Sequence, residues 1–302
     1  MVDTPLKLPS TGRATGVVET AFGSIPPTVM VIVGITTTQV GAGVAKHLFH
    51  ALGPGGTVFL RVGFAALLLF ALWRPRFEAR PRRDYVTTVL FGLALAAMNL
   101  SFYMALNRIP LGIAVTLEFV GPLGVAVAGS RRAIDFLWAA LAGCGIILLA
   151  PWGGLRLDLA GIALALAAGA CWASYILLSA RVGRSFPGGS GLALAMGFAT
   201  LVLLPVGLVS AGSGLLDPRL LLVGAGVAIL SSMIPYSLEL EALRRLPTRV
   251  FGVLMSLEPA IAALVGFVIL REGLGARALI AMGLVILASL GSSRSVVSEP
   301  TG

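Results

Sequence analysis

The sequence predicts an all-α membrane protein of ten transmembrane helices, arranged as two inverted five-helix repeats with both termini in the cytoplasm. Three observations carry this. Of 302 residues, 57% are hydrophobic and only 12% charged, and the mean hydropathy is +0.98, outside the soluble range. The apolar residues fall in ten runs, each close to the roughly 20 residues that cross a hydrocarbon core of about 30 Å. Finally, Leu106, Arg108, Pro110, Leu117, Pro122, Ala126, Asp135 and Leu137 recur 137 positions later as Leu243, Arg245, Pro247, Leu254, Pro259, Ala263, Glu272 and Leu274. Each copy sets a basic turn before a proline-interrupted apolar helix, and each helix carries a carboxylate near its proline: Glu118 and Glu258. An acid in hydrocarbon costs roughly 2.5–3.5 kcal/mol on insertion scales, so it is tolerated mainly where it faces protein or water. Two on repeat-related helices imply a shared polar cavity.

Residues 1–26 form a polar N-terminal arm, and the run after it lacks a cleavage signal, so the first span is expected to be retained. Span 1, about Pro27 to Leu48, holds Thr36, Thr37, Thr38, Gln39 and Lys46. Threonines bond their own backbone readily, which leaves Gln39 as the informative group, while Lys46 either lines the cavity or snorkels to the interface. Span 2, about Gly56 to Trp73, carries Arg61, which could line the pore or pair with a neighbour. The loop Arg74–Asp84 has five arginines and is the strongest orientation signal. Span 3, about Tyr85 to Leu106, contains Asn99, Ser101 and Tyr103, suited to bonds between helices or to a substrate.

Span 4, about Leu111 to Gly129, carries Thr116, Glu118 and Pro122. Pro122 has no N–H for the carbonyl of Glu118, so a free backbone oxygen lies beside the carboxylate. Span 5, about Ile134 to Pro151, is apolar with Gly143 and Gly145, and the loop at Trp152, Gly153 and Gly154 is the seam between halves. Span 6, about Leu157 to Ala180, brings Trp172, Ser174 and Tyr175; Trp172 is deep for an interfacial belt and reads as cavity wall. Span 7, about Ser190 to Ser210, is apolar. Span 8, about Leu220 to Leu240, has Ser231, Ser232, Pro235, Tyr236 and Glu239; Pro235 frees the carbonyl of Ser231 and should kink the helix. Glu239 and Glu241 are expected to form interfacial ion pairs with Arg244, Arg245 and Arg249. Span 9, about Val250 to Leu270, has Ser256, Glu258 and the helix-breaking Pro259, and span 10, about Leu274 to Leu290, is apolar and glycine-rich like span 5. Residues 292–302 form a cytoplasmic tail.

With the N-terminus inside, Lys and Arg flanking the spans divide fifteen inside to six outside, which decides for N-in and C-in. The net charge of +9 therefore reflects topology; no nucleic-acid partner is implied. A five-helix unit inserts its second copy upside down, giving repeats over 27–151 and 157–291, and inverted repeats place a substrate site where their broken helices meet. Cys144 and Cys171 lie within apolar spans, and no disulfide, metal site or cofactor is expected. Only His47 and His50 are present, with no HExxH, GxSxG or phosphate-binding loop, so an enzyme is not expected.

The stretches LEFVGPLGVAVAGSRRAIDF and SSMIPYSLELEALRRLPTRVFGVLMSLEPAIAALVGFVILRE resemble the EamA-type members of the drug/metabolite transporter superfamily. The resemblance extends over the whole chain in helix count and repeat plan. It implies an inner-membrane exporter of small metabolites, its cavity lined by spans 1–4 and 6–9, with spans 5 and 10 outside. Glu258 and Pro259 match the family's Glu-Pro step, Glu272 its acidic position at the end of span 9, and Arg61 its basic position in span 2, while Asp135 replaces a Glu. Span 1 reads Val40-Gly41 where the family has Trp-Gly, and Gly121 leaves Glu118 one turn before its proline. The expected cargo is a small neutral amino acid such as threonine or homoserine, moved by proton-coupled or facilitative alternating access. The candidate substrate or ion site is Glu118, Glu258, Gln39, Lys46, Arg61, Asn99, Tyr103, Trp172, Tyr175 and Tyr236. A cationic drug or amine, caged by the acids and Trp172, is the alternative. Besides the substrate and the bilayer, the expected partner is a second copy, packed through the glycines of spans 5 and 10.

Overall fold

Gly53 divides the longest helix of the protein. The computed structural model describes residues 25–75, 80–128, 133–149, 158–187, 189–246, 251 and 254–295, all of their regular structure helical. α1 (Pro27–Trp73) is one continuous element broken only at Gly53, whose φ of 65° and ψ of 167° are open to glycine and strained for other residues. Its first limb, residues 27–52, runs antiparallel to the 229–245 rod, with Gly34 against Pro235 and Glu239 and Gly41 against Ser231. The second limb, residues 54–73, runs parallel to that rod and to the helix 218–228 that leads into it, with Leu60 against Gly224 and Arg61 reaching Ser231. The limbs therefore run in opposite directions, and each is long enough for one crossing.

α2 (Arg82–Leu106) follows, then α3 (Leu111–Glu118), α4 (Val120–Ala128) and α5 (Ala133–Leu149). α6 (Leu159–Ser185), α7 (Ser190–Ala211) and a 3₁₀ turn Gly212–Leu216 lead to α8 (Pro218–Ala228). A π-turn Ile229–Met233 joins α8 to α9 (Ile234–Arg245), and α10 (Glu258–Leu270) and α11 (Ala276–Ser295) complete the order. Asp158 caps α6 through the Ala160 N–H and Asp217 caps α8 through that of Arg219, each aspartate accepting one of the donors a helix start leaves free.

Three expected single spans are thus assembled from pieces, span 9 having a turn at Ser256 and Leu257 just before α10. Span 4 is α3 plus α4 with a turn at Phe119, because Pro122 cannot donate to Glu118. Span 8 is α8, the π-turn and α9, and the interruption falls one turn before Pro235. The Arg76–Ala79 part of the basic loop, Arg131 and Arg132, the seam at Trp152–Gly154, Pro247, Arg249 and both chain ends lie outside the described residues, as do the side chains of Asp135, Glu241 and Arg244.

α2 and α6 pack antiparallel and are tied at both ends. At one end Arg108 pairs with Asp158 at 2.5 Å; at the other Ser185 donates to Asp84 at 3.0 Å, and Tyr85 meets Phe186 edge-on. The Arg108 hydrogen bond, followed by that from the Ala160 N–H, holds the exposed Asp158 carboxyl below the usual carboxylate range. α4 crosses α6 where a Cβ on Gly121 would stand 1.9 Å from the Gly169 carbonyl oxygen and one on Gly169 would stand 2.7 Å from that of Glu118. α5 and α11 pack on each other, Gly145 against the Ala281 carbonyl and Gly291 against the Trp138 ring. Gly145 thus serves a contact within the chain, whereas Gly143, Gly275 and Gly283 of the same two helical regions have nothing within 4 Å of an added Cβ.

Among the described residues, five helices are long and apolar enough to cross a membrane. Val209 is 89% exposed, Leu222 75% and Phe136 70%, an apolar surface that water would not tolerate on this scale and that lipid accepts. The protein is an all-helical membrane protein held together by small-residue contacts between helices. Gly121→Val is expected to force α4 from α6, at a cost of about 1–3 kcal/mol from overpacking, whereas Gly143→Ala, with nothing within 4 Å of the added methyl, should be neutral. Thermal unfolding in detergent compares them; equal midpoints would contradict the packing described.

Candidate functional site

Several buried polar side chains come together where α1, α3, the π-turn, α9 and α10 approach one another. Gln39, Asn99, Thr116, Glu118, Ser231, Ser232, Ser256 and Glu258 are all buried. Glu118 closes α3 and Glu258 opens α10, so each acid stands at a helix interruption of its own making: the proline following it leaves one rung of the ladder unfilled. Glu258 Oε1 accepts from Gln39 Nε2 at 2.9 Å. Among the described residues its Oε2 and Gln39 Oε1 have no hydrogen-bond partner, nor has Ser231 Oγ.

Arg61 lies a short way from this pair. It donates through Nη1 to the Tyr103 hydroxyl at 3.3 Å and through Nη2 to the Ser231 carbonyl at 3.2 Å, with its guanidinium 5.5 Å from the Tyr103 ring centre. The Ser231 carbonyl is the one that Pro235 leaves without an N–H, so a gap in one helix is filled by a cation from another. Glu118 is within electrostatic reach of both Glu258 and Arg61, and Tyr236 is within reach of Arg61. Acids, a guanidinium and two phenols therefore form one connected patch.

The remaining candidates fall around its edge. Trp172 stacks edge-on with Phe119, 5.6 Å between ring centres, directly beside Glu118. Tyr175 lies against Phe91 at 5.1 Å and borders a cavity of about 100 Å³ between α2, α6 and α7. Asn99 donates back to the Leu95 carbonyl of its own helix at 2.9 Å, and Thr36, Thr37, Thr38 and Thr116 do likewise one turn back. Lys46 stands apart from the patch: it pairs with Glu272 at 2.5 Å, two turns along α1 from Gln39.

Glu239 is a residue that sequence reasoning left out of the candidate site. Its carboxylate lies toward α1, 3.9 Å from where a Gly34 Cβ would stand, and within electrostatic reach of Glu258 and Tyr175. The signal was its spacing: Ser232, Tyr236 and Glu239 share one helix face. The ion pairs expected of it involve Arg249 and the side chain of Arg244, which lie outside the described residues.

The model of the EamA-like transporter family matches residues 159–294. The threonine/homoserine exporter RhtA of Escherichia coli K12 is 44% identical over 278 residues, covering 90% of this chain and 93% of the relative, and that of Salmonella typhimurium LT2 is 43% identical over 91% and 93%. An uncharacterised transporter of Bacillus subtilis, YwfM, is 27% identical over 78% of this chain and 82% of its own. A solved crystal structure, 18% identical, superposes with a TM-score of 0.57 over 89% of this chain and 99% of the other, which shows a shared fold. A double-mutant cycle between Gln39→Ala and Glu258→Ala, read as unfolding free energy in detergent, is expected to give a coupling of about 1–3 kcal/mol for a buried bond to a carboxyl group. Strictly additive effects would remove the bond from the site.

Proposed function

This chain belongs to the EamA-like transporter family, a multi-pass membrane carrier by descent, and we propose that it exports small neutral amino acids such as threonine and homoserine across the inner membrane by alternating access. The observation that carries the proposal is the identity of 43–44%, over nine-tenths of the chain, to carriers named for that export. The chemistry of the patch supports it. A neutral amino acid is a zwitterion, and it needs an acceptor for its ammonium, a cation for its carboxylate and a polar partner for its hydroxyl. Glu258 offers a carboxylate oxygen without a partner, backed by Glu118, and Gln39 Oε1 and Ser231 Oγ are unpartnered polar atoms beside it. Arg61 presents a planar fork suited to a carboxylate, whereas Lys46 is already neutralised by Glu272. Arg61 is therefore the better match for the α-carboxylate.

The proposed architecture is ten crossings: the two limbs of α1, α2, α3 with α4, α5, α6, α7, α8 with α9, the 251–270 segment, and α11. Residues 27–151 and 157–291 would be its inverted halves, with both termini in the cytoplasm. Several features favour this. Glu118 and Glu258 mark an interruption in each half, α5 pairs with α11, and the basic residues Arg80, Arg82, Arg83 and Arg184 gather at the end opposite Lys46, Arg108 and Arg219.

Efflux of preloaded radiolabelled threonine and homoserine from proteoliposomes, with and without a proton gradient, tests the reading. Arg61→Gln is expected to raise the apparent KM about ten- to a hundredfold, the loss of a charge-assisted contact. Glu258→Gln should abolish any dependence on the gradient; gradient-driven efflux that survives the substitution would exclude Glu258 as the coupling group. Absent efflux from the wild type, together with counterflow of a quaternary amine, would transfer the cargo to cations.

A further inference from the structure

Lys46 and Glu272 are 226 positions apart, and with Leu111 they bring three helices to one point. One Glu272 carboxylate oxygen accepts from Lys46 Nζ at 2.5 Å, and the other accepts from the backbone N–H of Leu111 at 2.8 Å. The lysine is on the first limb of α1, the amide opens α3, and the acid follows the end of α10. Local structure aims the acid there. Arg271 adopts a left-handed conformation, φ 55°, and the Glu272 N–H closes back on the Gly266 carbonyl at 3.0 Å, so the chain reverses over the last turn of α10. Gly266 leaves room for the carboxylate, whose oxygen would be 2.8 Å from any Cβ there.

Beneath this clasp the same helices are in close contact, each through a glycine. Gly43 of α1 lies against Val265 and Ile269, Gly112 of α3 against the backbone of Ala263, and Gly266 of α10 against Leu111. Gln39, Glu118 and Glu258 all lie further along these helices, roughly two turns or about 10 Å below. At the opposite end α9 packs on α1 and the π-turn, and among the described residues no comparable packing joins it to α4 or α6. Among the described residues, the acidic patch is thus closed over on the clasp side by packed helices.

We propose that Lys46, Glu272 and the Leu111 amide form the exoplasmic gate of the carrier, so that Lys46 governs the opening of the cavity and not the recognition of its cargo. The assignment rests on the transporter reading and on the N-in orientation proposed above. The glycine seam makes the closed state close-packed, and the clasp adds a charge pair that must separate before α10 can leave α1 and a hydrogen bond from the Leu111 amide that must break before it can leave α3. Both Lys46 and Glu272 are partly exposed, 26% and 13% by side chain, so water can solvate them once parted. They are positioning residues, and their removal should shift the balance of states while leaving the patch intact.

The test uses right-side-out vesicles holding the protein with Cys144→Ala, Cys171→Ala and a reporter Gln39→Cys, modified by a membrane-impermeant thiol reagent. Adding Lys46→Met or Glu272→Gln is expected to speed modification from the outer face by about fivefold or more, a shift typical of losing one partly buried pair, and Lys46→Arg to restore the slow rate. With the native Gln39 in place, threonine efflux by Lys46→Met should change in kcat with KM held within about twofold, opposite to the KM effect expected of Arg61→Gln. Unchanged modification rates, or acceleration from the cytoplasmic face alone, would overturn the gate. Should either variant fail to reach the membrane, Lys46→Cys and Glu272→Cys joined by a bifunctional thiol reagent give the same decision: the bridged carrier must stop outer-face labelling, and continued labelling refutes the proposal. Because labelling needs no cargo, a wrong guess about threonine would leave this result standing.

Discussion

In hydrocarbon, a backbone carbonyl without a hydrogen-bond donor has no water to turn to, and much of this structure follows from how a few such carbonyls are handled. Pro235 withholds one N–H from the Ser231 carbonyl. The helix relaxes into a π-turn, and Arg61 crosses from α1 to occupy the vacancy. A buried guanidinium is itself costly, so it needs acceptors, and the Ser231 carbonyl and the Tyr103 hydroxyl are those acceptors. The proline and the arginine thus each make the other tolerable. Together they hold a cation at the centre of an apolar bundle.

The acids are supported differently. Glu118 and Glu258 each mark the point where a proline-containing helix is interrupted, and each carboxylate belongs to a helix end that borders a turn. Gln39 takes one oxygen of Glu258 and leaves the other. Around them the helices approach through glycine: Gly41 at Ser231, Gly112 at Ala263, Gly121 at Gly169. Lipid supplies little hydrophobic drive between helices, so close backbone contact and interhelical hydrogen bonds must supply the specificity. The polar patch is small because the glycine seams around it are tight.

Much of this was legible in the residues. Gln39, Arg61, Tyr103, Glu118 and Glu258 are polar groups in apolar runs, and the cost of such placement makes them visible without any structure. The prolines announced which carbonyls would be free. What the sequence hid was partnership across long separations. Lys46 read equally as a cavity lysine or a snorkelling one, because nothing local reveals that Arg271 turns left-handed and aims Glu272 at it. Glu239 was read from the arginines that follow it, and nothing local reveals that its carboxylate lies near Gly34 of α1. The glycines of spans 5 and 10 look alike in sequence, yet Gly145 meets the Ala281 carbonyl while Gly143, Gly275 and Gly283 meet nothing within 4 Å.

The two charge arrangements differ in a way that bears on transport. At Lys46 both carboxylate oxygens of Glu272 are taken, one by the cation and one by a helix amide, and bonds from two helices to one acid favour one packing. At the patch, among the described residues, Glu258 Oε2, Gln39 Oε1 and Ser231 Oγ are buried with nothing bonded to them. Unmet groups in a low-dielectric interior are costly, and a ligand that meets them recovers that cost on binding. Under the proposed function the two arrangements divide the work: the clasp holds a closed packing, and the patch offers its free atoms to the cargo.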